Sequence, residues 1–321
     1  MDTRDENERL LSLPPIEVDT DAALARFRST VRDRRTQPAG RGGIVHLSLP
    51  RVKWLAAAAA AVIVATTLTL TGVAESLLQI FEAKQFAGVT VVPTDLQTLS
   101  QLTAYGTITW SAQPSPHEVA SLAAATAESG LPAVSVTLPA GVGTTARYGV
   151  VDRTTAKFVF DATKAQQSAA TIGRTAPPMP ARIDGSTLVF GGGPAIVQTY
   201  GDVQGASGPT VVVIVSRPPT VSSDGVTVSE LRSYLLSLPD VSAELAAQIR
   251  AIGDPATTLP VPIPMGQAAS KSVGVHGTTG LFVGDSTGLG SGVIWQQNGL
   301  VYLVGGTLTE AQTMAVANSL R

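Results

Sequence analysis

The chain contains no cysteine. That excludes disulfides, thiolate zinc sites, cysteine nucleophiles and a lipid-modified cysteine anchor. Any part of it outside the cell must hold together by packing alone. Charge is scarce too: Asp, Glu, Lys and Arg make up 14% of the 321 residues, where ordinary globular domains carry about a quarter. Such depletion fits a membrane-associated or secreted protein with Thr, Ser and Gly on its surface. The net charge is -2, and the basic residues after position 75 are scattered without interleaved aromatics. No nucleic-acid partner is expected. There are three histidines. His117 and His276 are far apart in sequence, and no stretch alternates acidic residues. Neither a zinc nor a calcium site is expected, and no cofactor.

What is present in excess is one apolar run, "RVKWLAAAAAAVIVATTLTLTGVAES", residues 51–76. From Trp54 to Ala74 it has no charge and no proline. About 20 residues at ~1.5 Å each cross a hydrocarbon core of about 30 Å. Trp54, Leu55, Val62, Ile63, Val64, Leu68 and Leu70 are its lipid-seeking positions. Thr66, Thr67, Thr69 and Thr71 form no polar stripe, and their hydroxyls can bond back to a helix backbone. Arg32, Arg34, Arg35, Arg41, Arg51 and Lys53 precede the run, while Glu75 and Glu82 follow it. This asymmetry predicts a cytoplasmic N-terminus. A cleaved signal peptide would use the small Gly72 and Ala74, but the leader before the run is too long. A twin-arginine signal at Arg34-Arg35 would lie far from the run.

Residues 1–53 then read as a cytoplasmic tail with one helix, "DTDAALARFRSTVRDRR". Asp19, Thr20 or Asp21 can cap it. Leu24, Phe27 and Val31 fall on a single stripe among arginines. A lone helix of this length is marginal in water. The stripe therefore predicts docking, either in a groove of a cytoplasmic partner or on the anionic inner leaflet.

Residues 75–321 carry the folded mass, outside the membrane in this reading. "ESLLQIFEAKQF" reads as helix leaving the bilayer, and "PHEVASLAAATAESG" as helix from Pro116 to Gly130. "AVSVTLP", "ARYGVV" and "AKFVFD" alternate like strands. "DATKAQQSAATIG" is a helix capped by Asp161. The proline-rich "RTAPPMPAR" separates a first half, 75–176, from a second, 181–321. In the second half, Asp184-Gly185 and Gly191–Gly193 mark hairpin turns, and "TVVVIVSR" is a buried strand. "VSELRSYLLSL" and "SAELAAQIRAIG" are helices with Ser229 and Ser242 as expected caps. "KSVGVHG", "TGLFVGDS", "SGVIWQQ" and "GLVYLVGG" are strands with a turn at Asn298-Gly299, and Thr309 caps a last helix. The expected class is α+β: a single transmembrane helix, then antiparallel sheet packed on helices.

Motifs for chemistry are few. "GDSTG", 284–288, is similar to the nucleophile loop of chymotrypsin-like proteases, but Thr287 stands where that loop needs glycine. A histidine followed by an aspartate upstream is met only by His117 with Asp152 or Asp161. A turn between strands explains the five residues. "GLGSG" and the glycine triplet sit between no strand and helix N-terminus, so neither reads as a phosphate loop. No enzymatic activity is expected, an envelope hydrolase using Ser286 being the contrary reading.

The tail "VDTDAALARFRSTV", one span and a cysteine-free outer region together resemble bitopic anti-sigma-factor-type proteins of Gram-positive bacteria. "TLPVPIP", "VGVHGTTGLFV" and "GVIWQQNGLVYLVGGTLTEAQTMAVANSL" resemble an extracytoplasmic domain that often follows such spans. In outline that domain is similar to lipoprotein-carrier and sigma-regulator sensor folds. The resemblance implies a single-pass regulator or sensor in the cell membrane. Its outer domain would bind a lipid, peptide or protein, and its tail a cytoplasmic regulatory protein such as a sigma factor. The alternative is a membrane-tethered carrier without signalling. The zinc-binding helical domain of many anti-sigma factors has no counterpart here, so no functional residue carries over from it.

Overall fold

Among the described residues of the computed structural model strand dominates over helix, 42% against 22%, with large antiparallel sheets. This overturns the α+β expectation. The structure describes residues 77–321 apart from 94, 96–101, 113, 115, 172, 174, 202–207 and 239–240. The tail helix with Leu24, Phe27 and Val31, and the run from Trp54 to Ala74 with Leu55, Val62, Ile63, Val64, Leu68 and Leu70, lie outside these residues. Among the described residues no helix is long and apolar enough to cross a membrane, so the fold described holds no transmembrane helix.

In chain order the elements are β1 (Leu78–Glu82), β2 (Gln85–Val91), β3 (Gly106–Ala112), β4 (Pro116–Val119) and α1 (Leu122–Ser129). Then come β5 (Ala146–Val151), β6 (Thr154–Phe160), α2 (Ala162–Thr171), β7 (Thr187–Gly192), β8 (Ala195–Tyr200), β9 (Val211–Ser216) and β10 (Thr220–Ser223). They are followed by α3 (Val228–Leu235), α4 (Ala243–Ala251), β11 (Thr258–Pro264), β12 (Ala268–Val275), β13 (Thr278–Asp285), β14 (Ser291–Gln297), β15 (Leu300–Gly306) and α5 (Glu310–Ser319). A short 3-10 turn, Leu102–Tyr105, precedes β3.

Two antiparallel sheets share four crossing strands. One has eight strands, ordered β12-β13-β14-β15-β9-β8-β5-β4, and the other five, ordered β1-β10-β7-β6-β3. β3 runs into β4, β5 into β6, β7 into β8 and β9 into β10 with only two or three residues between. These four crossings keep the same lateral order in both sheets. The glycine run 191–193 therefore marks a bend between sheets, and the hairpin expected there does not form. Both sheets take strands from either side of the proline-rich segment.

Alternation along the crossings is preserved through the bend. Val150 and Phe158, Leu188 and Ile196, and Val215 and Val221 each keep their parity, and all six face helix-covered cores. Over the eight-stranded sheet, α1, α5 and the extended stretch 131–142 bury Val150, Ile196, Val213, Trp295 and Val304. Over the five-stranded sheet, Leu231 and Tyr234 of α3 pack on Phe158, Phe160 and Leu188. At roughly 25 cal/mol per Å² of apolar area removed from water, these two clusters are the main stabilising mass.

The opposite face of the eight-stranded sheet carries a second layer. β11 and β2 pair in parallel, and Val261 and Ile263 pack on Leu281, Ile294 and Val301. α4 forms a third layer, setting Leu245 on Val89 and Val91. Pro260, Pro262 and Pro264 alternate along β11. Their missing N–H groups are tolerated because this strand has a partner on one side only.

In the stretch 77–86 the expected helix is replaced by strands. Leu77, Leu78, Phe81 and Phe86 have helix-like spacing, yet Leu78 to Glu82 pair with β10 and Gln85 to Val91 with β11. Long-range pairing outweighs local periodicity there. Pro116 to Val119 likewise join the sheet edge, and α1 starts only after Ser121, whose hydroxyl accepts from Ala124 N–H at 3.1 Å. The segment "AVSVTLP" is no strand: Ser135 and Arg321 exchange backbone hydrogen bonds of 3.0 and 3.2 Å.

Candidate functional site

Aromatic and polar side chains meet where two hairpin turns reach the end of α5. His276-Gly277 and Asn298-Gly299 join β12 to β13 and β14 to β15, and all four residues have positive φ. Tight two-residue turns require that conformation, which glycine and asparagine adopt readily. His276 does so under restraint. Its ring Nε2 donates to the Ala317 carbonyl at 2.9 Å, and its N–H donates to Asn318 Oδ1 at 3.4 Å. Gln297 Nε2 donates to the His276 carbonyl at 3.3 Å.

Behind the histidine the rings form a ladder. Trp295 lies 6.3 Å from His276 and stacks on Tyr302 at 5.3 Å with an interplanar angle of 16°. Trp295 is 1% exposed, and its indole N–H has no acceptor. Tyr302 is half-buried, and burial pushes its phenol above the ordinary value. Trp295 and its unspent donor are sealed in the core, and only the exposed His276 and the half-buried Tyr302 reach solvent. This shelf holds no nucleophile with a base beside it, and its histidine commits Nε2 to the end of α5.

The remaining reactive residues are dispersed. His117, expected at a helix start, sits on β4 and bonds Glu128 of α1. Beside it, Arg147 holds Glu118 in a two-pronged ion pair at 2.9 and 3.0 Å. Hydrogen bonding to the Arg147 guanidinium, then its charge, holds the Glu118 carboxyl below its usual value. Both pairs are exposed. Ser286 lies in a turn built by Asp285, whose Oδ1 accepts from Thr287 N–H, Thr287 Oγ1 and Leu289 N–H. Its own N–H donates to the Gln267 carbonyl at 2.9 Å. His276 is at the other end of β13, roughly 30 Å away at ~3.4 Å per residue. His117 is on the far edge strand. Neither described histidine reaches Ser286. Asp152 follows β5 at the bend, and Asp161 caps α2 through Lys164 N–H at 2.9 Å.

Among the described residues no three His, Asp or Glu side chains converge as a metal site would require. Two buried polar networks are structural. Gln198 donates to the Val134 carbonyl at 3.0 Å and accepts from Tyr200 Oη at 2.8 Å, fastening the 131–142 stretch to the sheet. Asp95 accepts from Val92 N–H, Ser242 N–H and Ser242 Oγ. Burial pushes its carboxyl up, but these hydrogen bonds outweigh burial and hold it below the usual value. On the other sheet, burial first, and then Tyr105 and Asp184, push the Tyr234 phenol up to about 12.

The sequence reading did not single out the shelf. Its only signals were the two turn pairs and a buried-strand tryptophan, which most sheets would also show. No protein family, characterised protein or solved structure matches the chain.

Proposed function

We propose that this is a membrane-attached regulator or sensor, with a non-catalytic β-rich body outside and a partner-binding tail inside. The observation that carries the reading is the charge step around residues 54–74: Arg32, Arg34, Arg35, Arg41, Arg51 and Lys53 before the uncharged run, Glu75 and Glu82 after it. In this reading Leu24, Phe27 and Val31 dock into a cytoplasmic regulatory protein, of which a sigma factor is the class the resemblance suggests. The exposed His276 and half-buried Tyr302, backed by the buried Trp295, are the body's first candidate for recognising a ligand with an aromatic or apolar part. A carrier would need an apolar cavity between sheet and helices. That interface is occupied by Leu131, Val134, Leu308, Val316 and Leu320, which favours the regulator over the carrier.

The test has two arms. A reporter fused after Arg321 and one fused before Met1 should lie on opposite sides of the membrane. Capture from the same cells should recover a specific cytoplasmic partner with the native tail, and lose it with Leu24→Asp or Phe27→Asp. Reporters on one side defeat the membrane reading. Full outer-body function with an unrelated basic tail defeats the regulatory one.

A further inference from the structure

Among the described residues six strands have an open side, and five of them are guarded. β11 carries prolines at alternate positions. β2 has Thr90 bonded by the Gln248 side chain. β4 is four residues long and begins with Pro116. β1 and β3 each have a bulge, at Gln79/Phe81 and Trp110/Ala112. Such devices stop an edge from recruiting another strand.

β12 has none of them. It is eight residues long and pairs with β13 through eight consecutive registers without a bulge. Its sequence, AASKSVGV, contains no proline, and Ala269 through Ser272 are exposed. Its one charged residue does not guard the edge. Lys271 Nζ is held by Glu310 at 2.8 Å and lies 5.6 Å over the Phe282 ring. Among the described residues, no N–H or C=O of 268–274 bonds anything beyond the β13 ladder.

We infer that β12 is a docking edge for a second copy of this chain, joined as an antiparallel β12–β12 pair about a two-fold axis. An antiparallel strand is its own partner under such an axis, because each contact occurs twice. Strand addition by a foreign peptide gains specificity from pockets that read alternate side chains. On one face β12 presents only Ala268, Ser270, Ser272 and Gly274, which allow close backbone approach and discriminate poorly among side chains. Charge permits the pairing as well: Lys271 is already matched by Glu310, and a two-fold axis at Ser272, which then faces its own copy, sets Lys271 opposite Val273. Eight residues in such a pair exchange about eight backbone hydrogen bonds. The result is one continuous sheet through both copies. The inference does not depend on the membrane reading or on the regulatory one.

The absence of native cysteine makes the test direct. Single cysteines are placed in the full chain at each position from 269 to 274, and membranes or detergent extracts are oxidised. Disulfide geometry limits bonding to residues beside the axis. The expected result is a chain-to-chain dimer whose yield peaks at the one position on the axis and falls several-fold on either side. Ser222→Cys, on the five-stranded sheet, should give none. Lys271→Pro and Ser272→Pro form the second arm. Only one of two neighbouring residues points its N–H outward, so one variant should abolish the dimer while keeping the native melting curve. No crosslink above that of Ser222→Cys, equal yield at all six positions, or a cysteine captured by a different protein would each overturn the inference.

Discussion

Gln248 of α4 holds both backbone groups of Thr90: its Oε1 accepts the N–H at 2.7 Å, and its Nε2 donates to the carbonyl at 3.2 Å. The side chain thus takes the place of a neighbouring strand on the free side of β2. It ties the outermost helix to the parallel pair beneath it. Buried or half-buried backbone groups without partners are costly, which is why an amide side chain serves here.

Gln248→Leu keeps the apolar stem and leaves both Thr90 groups without partners. The expected loss is about 1–3 kcal/mol, read as a lower urea midpoint with unchanged slope. Amide exchange should quicken at Thr90 before it does in β14 or β15. Unaltered exchange at Thr90 would mean that another group takes over the role.

Asp95 makes stability depend on pH. Its folded carboxyl is held below its ordinary value by Val92 N–H and by the N–H and hydroxyl of Ser242, against the opposing effect of burial. A group with a lowered folded pKa contributes stability above its unfolded value, about 3.9, and loses it as pH falls through the folded one. Asp95→Asn should therefore melt earlier than the native chain at pH 7, by the equivalent of about 1–3 kcal/mol. The gap should close as pH falls below about 4. Exposed carboxylates such as Glu118 and Glu230 titrate in the same window, so the informative quantity is the difference between variant and native chain. A gap that stays constant from pH 7 to pH 3 would refute the assignment.

Sequence signals were strong wherever a residue type left the backbone few choices. "TVVVIVSR" became β9, Asn298-Gly299 became a turn, and Thr309 and Ser242 became helix caps. Ser229 was the expected cap of α3, but Thr227 fills that place, with Glu230 closing the capping box. The Thr-x-x-Glu spacing carried that information, and the serine distracted from it. The sheet topology was hidden for a different reason. Short links at Asp152-Arg153 and Gly193-Pro194 look like hairpin turns, whereas the strands run on into a second sheet. Which neighbour a strand chooses is a long-range property that local pattern does not encode. The shelf was hidden likewise, since Trp295 and His276 meet only through the register of β13 and β14.

Trp295 tests whether its indole N–H is without a partner in the core. With no acceptor for its indole N–H, Trp295→Phe gives up packing volume and no hydrogen bond, at an expected cost of about 1–2 kcal/mol. Trp295→Ala should cost about 3–5 kcal/mol. If the phenylalanine variant is as damaging as the alanine one, the buried N–H has a partner inside the core.

Gly306 tests the central register of the eight-stranded sheet. It stands opposite Val211, where β15 meets β9, and an added Cβ would run into the Thr210 carbonyl, with Val211 Cα at 3.2 Å. Those are backbone atoms of a buried strand, so they cannot swing aside as a side-chain end could. Gly306→Ala must therefore part β15 from β9, splitting the sheet between its hairpin half and its crossing half. A loss at or above the usual 1–3 kcal/mol for overpacking is expected, read as a lower urea midpoint. Gly253→Ala is the matched control: nothing lies within 4 Å of its added carbon, and its effect should stay within about 0.5 kcal/mol. Equal midpoints for the two variants would mean that β15 and β9 are not paired in this register, and the core drawn across them would have to be redrawn.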